Sequence, residues 1–217
     1  MYSNKGGDVK KTPANHLNHQ FMNQKQQREM INSPPLRNRL DEEVLLKTNE
    51  ERKKYGLKPF RPHPRLRMMA ARHSEQMLLH RFFSHENPFE PRFRTLTDRM
   101  QSVMGNGFAG FRCFGENIAK SPTLKGDNKF EIRIEGGIPH FYDLHGNEMF
   151  RYTVDEFARA VVTGWMNSPG HRANILNPQY EYLGCGCAGF QQDLGNGAVV
   201  SYYYLTQNFG GGEITEQ

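Results

Sequence analysis

From residue 38 onward apolar residues recur at helical spacing. In NRLDEEVLLKTNEERKKYGLKP, Leu40, Val44 and Leu45 begin one stripe, and Gly56 and Pro59 mark its end, which predicts a helix. A second helix is predicted over PRLRMMAARHSEQMLLHRFFSH. Leu66, Met69, Ala70, His73 and Met77 fall on one side of it, and Phe82 and Phe83 close the turn. His73 shares that stripe and reads as a satisfied core residue. LTDRMQSVM is a short helix candidate inside the loop region from Asn87 to Gly110. Thr153, with Glu156 three residues on, forms a capping box that opens a helix over FARAVVTGWM.

Strand signals come mainly later. CFGENIAK is short, apolar and bounded by turn residues. FEIRIEGG is a strand candidate, and in HFYDLHGNEMFRYT the HGN triplet offers a turn between two aromatic-bearing arms. Residues 121–152 therefore read as an inserted hairpin. YLGCGCAGF and AVVSYYYLTQNF, separated by the turn-rich QQDLGNG, predict a closing antiparallel pair. Helices first, a mixed middle and antiparallel strands last give an α+β order without βαβ alternation. Residues 1–36 are different in kind. NHLNHQFMNQKQQREMINSPP is polar and ends on a Pro-Pro stop, so this tail reads as flexible, and His16 and His19 within it as polar filler.

Composition narrows the classes. Of 217 residues, 36% are hydrophobic and 12% aromatic, enough for a core, while a mean hydropathy of −0.77 implies one compact body with a polar appendage. A net charge of +5 is spread among acidic residues rather than gathered in runs, which does not indicate nucleic acid. No apolar run approaches the roughly 20 residues needed to cross a bilayer. MYSNKGGDVKK lacks the apolar segment of a signal peptide, so an exported protein would be seen here in a mature or trimmed form. Three cysteines allow at most one internal disulfide. Cys185 and Cys187, two apart in a strand, share a face and are poorly placed to bond each other, which makes them small buried hydrophobes. A bridge from Cys113 to either stays open.

The candidate chemistry centres on three segments. In SPGHR, Ser168 suits an N-cap and Pro169 the first helical position, which puts His171 at the third. The positive end of the helix dipole disfavours imidazolium there and keeps the ring free to bind a metal or accept a proton. His85 follows the Phe-Phe-Ser end of its helix, and Glu116 opens ENIA. Two histidines and a carboxylate from distant segments suit a His-His-Glu metal site with an open water position. The alternative is a buried hydrogen-bonded network of the same three residues that pins helices to sheet. His140 and His145 flank the hairpin and read as surface, with a second metal site there a weaker candidate. The chain has no GxSxG, Walker loop or dinucleotide fingerprint.

Taken together, HSEQMLLHRFFSH, GENIA, GWMNSPGHRANIL, YLGCGCAG and YLTQNFG resemble, in order and spacing, the CAP superfamily, which includes the cysteine-rich secretory, antigen 5 and pathogenesis-related 1 proteins. The likeness is to its short bacterial-type members. It covers about residues 37–210, leaving tails at 1–36 and 211–217. It implies a three-layer α-β-α sandwich with a central antiparallel sheet, and a cleft with two histidines and two acidic residues. His85, Glu116 and His171 match three of these. The fourth departs: the glutamate that animal members carry three residues after the helix tryptophan is here Ser168. The disulfides of animal and plant members are not evident.

The resemblance implies a secreted or extracytoplasmic protein. It favours a non-enzymatic ligand-binding or interaction module whose His85/His171 cleft takes Zn²⁺ or another divalent cation, with a lipid, sterol or protein partner. Phe141, Tyr142, Met149, Phe150 and Tyr152 would shape a partner surface or cover the domain's own core. The alternative is a metal-dependent, protease-like hydrolase with Glu116 as general base.

Overall fold

The computed structural model describes residues 34–105, 110–126 and 129–212. His16, His19 and nearly all of the polar tail lie outside the described residues, as does the C-terminal tail from 213 onward. Helix α1 spans Pro34–Lys54, so it begins ahead of Asn38 and on the two prolines expected to stop it. Proline is tolerated in a first turn, where no N–H is required. Strand β1 is Arg61–Pro62, and helix α2 runs over Pro64–His80 with the His63 side chain accepting the Leu66 N–H as its N-cap. Arg81, at φ 54°, ends α2 in a left-handed turn, which leaves Phe82 and Phe83 in the following loop rather than in the helix. Helix α3, Leu96–Met104, opens on a Thr95/Asp98 capping box. Strand β2 is Cys113–Pro122, β3 Glu131–Glu135 and β4 Ile138–Tyr142. Helix α4, Val154–Asn167, starts on the expected Thr153/Glu156 capping box, and α5 is Pro169–Ile175. Strands β5, Tyr182–Asp193, and β6, Val199–Gly211, close the fold.

The main sheet has the order β1-β5-β6-β2. Its long strands are antiparallel, but β1 pairs with β5 in parallel over two residues, so the sheet is mixed at that edge rather than wholly antiparallel. Alternation along β5 decides how the layers stack. Gly184 and Gly186 face α2: an added Cβ would meet Arg67 Cα at 2.7 Å from Gly184 and the Ala70 carbonyl carbon at 2.6 Å from Gly186. The helix backbone lies almost on the strand. Cys185 and Cys187 face the other way, into the core of Leu40, Val44, Phe157, Val161, Trp165 and Leu205 under α1 and α4. All three cysteines are free. Burial pushes the Cys185 and Cys187 thiols well above the ordinary range, as suits inert core groups.

The 121–152 segment is a hairpin with a different turn from the expected one. β3 and β4 pair around Gly136 and Gly137, both at positive φ (57° and 81°), the geometry of a two-residue hairpin loop. HGN instead makes a second reversal, in which Asp143 accepts from the His145 and Asn147 N–H groups and the chain returns to bridge Tyr142 with Glu148. Phe141 and Met149 pack with Leu124, Ala198 and Val200, covering the end of the β5–β6 hairpin, while Phe150 stays exposed.

Candidate functional site

Strand β2 forms one edge of the main sheet, yet its outward carbonyls are not left open. Tyr180 Oη donates to the Phe114 carbonyl at 3.0 Å, Asn174 Nδ2 to that of Glu116 at 3.1 Å, and Trp165 Nε1 to that of Ile118 at 3.0 Å. Three side chains from α4, α5 and the following loop thus cap alternate residues of the edge, a protection that sheets otherwise obtain from charge or bulges. This gives the GWMNSPGHRANIL stretch a physical role: its Trp165 and Asn174 lock α4 and α5 onto the strand that carries Glu116. Trp165→Phe keeps an aromatic ring but loses the indole N–H, which leaves the buried Ile118 carbonyl unpaired and a small cavity beside it. We expect a loss of about 1–3 kcal/mol in urea denaturation followed by circular dichroism, and an unchanged midpoint would show that this cap contributes nothing.

His171 takes the third position of α5, as its spacing implied. Ser168 has N-cap backbone geometry but no side-chain capping bond. The helix is held instead by neighbours: Asn117 Nδ2 donates to the His171 carbonyl at 3.1 Å, and buried Arg52 donates to the carbonyls of Ile175 (2.6 Å) and Asn177 (3.0 Å). The imidazole is half-buried. Burial, followed by the nearby charge of His85, lowers its pKa below the usual histidine value, which favours the neutral ring.

His85 projects from the loop after α2, its side chain 55% exposed, and its Nδ1 lies 2.9 Å from Oε1 of Glu116. Glu116 itself is 2% exposed. Its Oε2 accepts from Arg99 at 2.7 Å and, with the amide turned to suit both neighbours, from Asn208 at 3.1 Å. Burial alone would raise this carboxyl, but the His85 hydrogen bond and the Arg99 charge outweigh it and hold the group below the usual carboxylate range. His73, in the core of α2, bonds the Ser84 carbonyl at 3.0 Å through Nε2 and lies 3.9 Å from Glu116. Burial lowers its pKa to about 4, so it is neutral, as a core histidine should be.

The structure thus joins His85 to Glu116 directly and His171 to the neighbouring Asn117 through its backbone. Glu116 stands behind His85 as an orienting partner, its hydrogen bond to Nδ1 fixing the direction of the imidazole. Among the described residues no three His, Cys, Asp or Glu side chains converge as a metal-ligand group. In the 121–152 segment, His140 Nδ1 pairs with Glu148 at 2.6 Å, and His145 is exposed in the second reversal. Several residues escaped sequence reasoning: Arg52, Arg99, Asn117, Asn174 and Asn208. Arg99 alone carried a usable signal, a cation set at helical spacing among Leu96, Met100 and Val103 on the apolar face of α3.

Residues 45–209 match the CAP family, the cysteine-rich secretory protein family. The chain belongs to this family. Similar proteins include an uncharacterized Bacillus subtilis protein, YkwD, 31% identical over 146 residues, which are 67% of this chain and 41% of the relative. An uncharacterized Bacillus subtilis membrane protein, YlbC, is 29% identical over 169 residues, 78% of this chain and 34% of that protein. The crystal structure of an extracellular SCP-domain protein from Bacillus anthracis superposes with a TM-score of 0.51 at 26% identity, covering 80% of this chain and 41% of that one. The chain therefore spans 34–41% of the length of these relatives. Among the described residues no helix is long and apolar enough to cross a membrane.

Proposed function

We propose that this CAP domain is a non-enzymatic, extracytoplasmic binding module whose open cleft uses His85 and His171 to hold a divalent cation, Zn²⁺ being the natural candidate, and with it a ligand. The observation that carries the reading is the His85–Glu116–Arg99 chain. It commits Nδ1 of His85 to a buried carboxylate and leaves Nε2 as the nitrogen for a ligand, on a ring that is itself exposed. The lowered pKa of His171 adds a second neutral nitrogen donor near neutral pH. Two imidazoles supply half of the four ligands zinc takes, and the remaining positions would belong to water or to a bound partner. An extracytoplasmic location is supported by the extracellular SCP-domain relative.

The hydrolase reading receives less support. A general base needs a free lone pair and a pKa near the working pH, whereas Glu116 is buried, paired with Arg99 and held below the usual carboxylate range. The decisive experiment is calorimetric titration of metal-stripped protein with zinc, with His171→Ala in parallel once its fold is verified. Micromolar binding that is lost in the variant is expected. Absence of heat in the wild type would sink the metal reading and leave the triad a structural network. Peptide cleavage abolished by Glu116→Gln would overturn the non-enzymatic one.

A further inference from the structure

We propose that Arg99 is the positioning residue of the cleft, fixing His85 through its side chain and its backbone at once. One terminal nitrogen of the guanidinium, Nη2, donates to Glu116 Oε2 at 2.7 Å, and Glu116 in turn holds Nδ1 of His85 at 2.9 Å. The other, Nη1, donates to the His85 carbonyl at 3.0 Å, that of Arg94 at 3.2 Å and that of Phe93 at 3.3 Å. A loop that crosses the surface between α2 and α3 is thereby tied at both its ends to one side chain, and that side chain is only 1% exposed.

Each half of the arrangement needs the other. Glu116 alone would accept a hydrogen bond from His85 but would be a buried, uncompensated charge, and such a group takes up a proton or pulls in water. Carbonyl contacts alone would place the loop without choosing which ring nitrogen carries the proton. The planar guanidinium supplies both, because its donors diverge in a fixed fork. A lysine ammonium at the same place could neutralise Glu116 but would not span the carboxylate and three carbonyls. A second arginine binds carbonyls in the same way at the His171 helix, where Arg52 ties its end to α1. For Arg99, however, the clamp acts on the histidine itself.

The consequence is specific. Arg99 touches no ligand, yet through Glu116 and the loop carbonyls it sets the direction of the His85 ring: Nδ1 faces Glu116, which leaves Nε2 as the nitrogen not committed to that carboxylate. This inference rests on the binding reading only in its zinc arm, and the experiment separates the two. Imidazole ¹⁵N–¹H spectra of the metal-free wild type, read at a pH where the ring is neutral, should show His85 as the Nδ1–H tautomer; a dominant Nε2–H form would overturn the proposal with no variant needed. In Arg99→Met/Glu116→Gln, which removes both charges, His85 should average between tautomers. In Arg99→Lys, which keeps a cation for Glu116 but loses the three carbonyl contacts, the Nδ1–H form should persist while the His85 signals shift and broaden as the loop loosens; the His171 signals stay in place in both. If the wild type binds zinc, both variants should bind roughly 10- to 100-fold more weakly, the usual cost of losing an outer-shell partner. A folded variant with a wild-type His85 spectrum and wild-type affinity would assign Arg99 to stability alone. Absence of zinc binding by the wild type would remove the ligand reading, and the tautomer comparison would still decide the role of Arg99.

Discussion

Gly186→Ala is expected to lose the native seating of α2 on the sheet. The new methyl has nowhere to go: its neighbours are backbone atoms of Ala70 and Ala71, not the end of a flexible side chain. Relief requires the whole helix to lift from β5, and with it Leu66, Met69, His73 and Met77, all buried in that contact. Overpacking a core costs about 1–3 kcal/mol where side chains can yield. Here they cannot, so the loss should reach or exceed the top of that range. Gly164, on the exposed side of α4 with no atom within 4 Å of an added Cβ, is the matched control. Gly164→Ala should gain about 0.5–1 kcal/mol from helix propensity. Urea midpoints read by circular dichroism compare the two directly. A Gly186→Ala midpoint within error of the wild type would mean that helix and strand do not approach as closely as described.

The second large effect is a pH dependence of stability centred on His73. Its side chain is 0% exposed, and burial lowers its pKa to about 4 from the model-peptide value of 6.5. Above pH 6.5 the ring is neutral in folded and unfolded chains alike and contributes no pH dependence. As pH falls below 6.5 the unfolded chain binds a proton that the folded core refuses until about pH 4. Stability is lost across that window, by about 3 kcal/mol for a shift of this size. Asp41 acts in the opposite sense: burial raises its carboxyl to about 6, so the folded state takes up a proton first and gains stability as pH falls from 6 toward 3.8. Wild-type stability alone would therefore hide both. The quantity to measure is the difference from His73→Gln, whose amide retains a donor for the Ser84 carbonyl. The wild type should lose about 3 kcal/mol relative to that variant between pH 6.5 and 4 in chemical denaturation. A constant difference across the window would show that folding does not lower the His73 pKa.

Much of this domain was legible before folding was considered, and for identifiable reasons. The stripe Leu66, Met69, Ala70, His73, Met77 became the buried face of α2 because helical spacing and burial are linked by geometry. Thr153 and Glu156 made their capping box because it is a contact between near neighbours. The hairpin in the insertion was visible too, but its turn was misplaced. HGN and Gly136-Gly137 both carry turn chemistry, and only strand pairing chose between them. The parallel β1 edge, two residues long, left no periodic trace.

The site divides along the same line. Sequence order set out His85, Glu116 and His171 as polar residues beside apolar anchors, and placed His171 in the first turn of a helix. It determined the α+β class, the core faces of the long helices, and the Gly-Cys alternation of β5, because each depends on local period and side-chain size. Only the tertiary structure decided that Glu116 faces inward to Arg99 and stands behind His85. The same is true of the edge of β2, closed by Trp165, Asn174 and Tyr180, and of Arg52 tying the His171 helix to α1. Those contacts join residues far apart in the chain. Their existence depends on which buried donor meets which orphaned acceptor once the layers have closed, and no local pattern encodes that meeting.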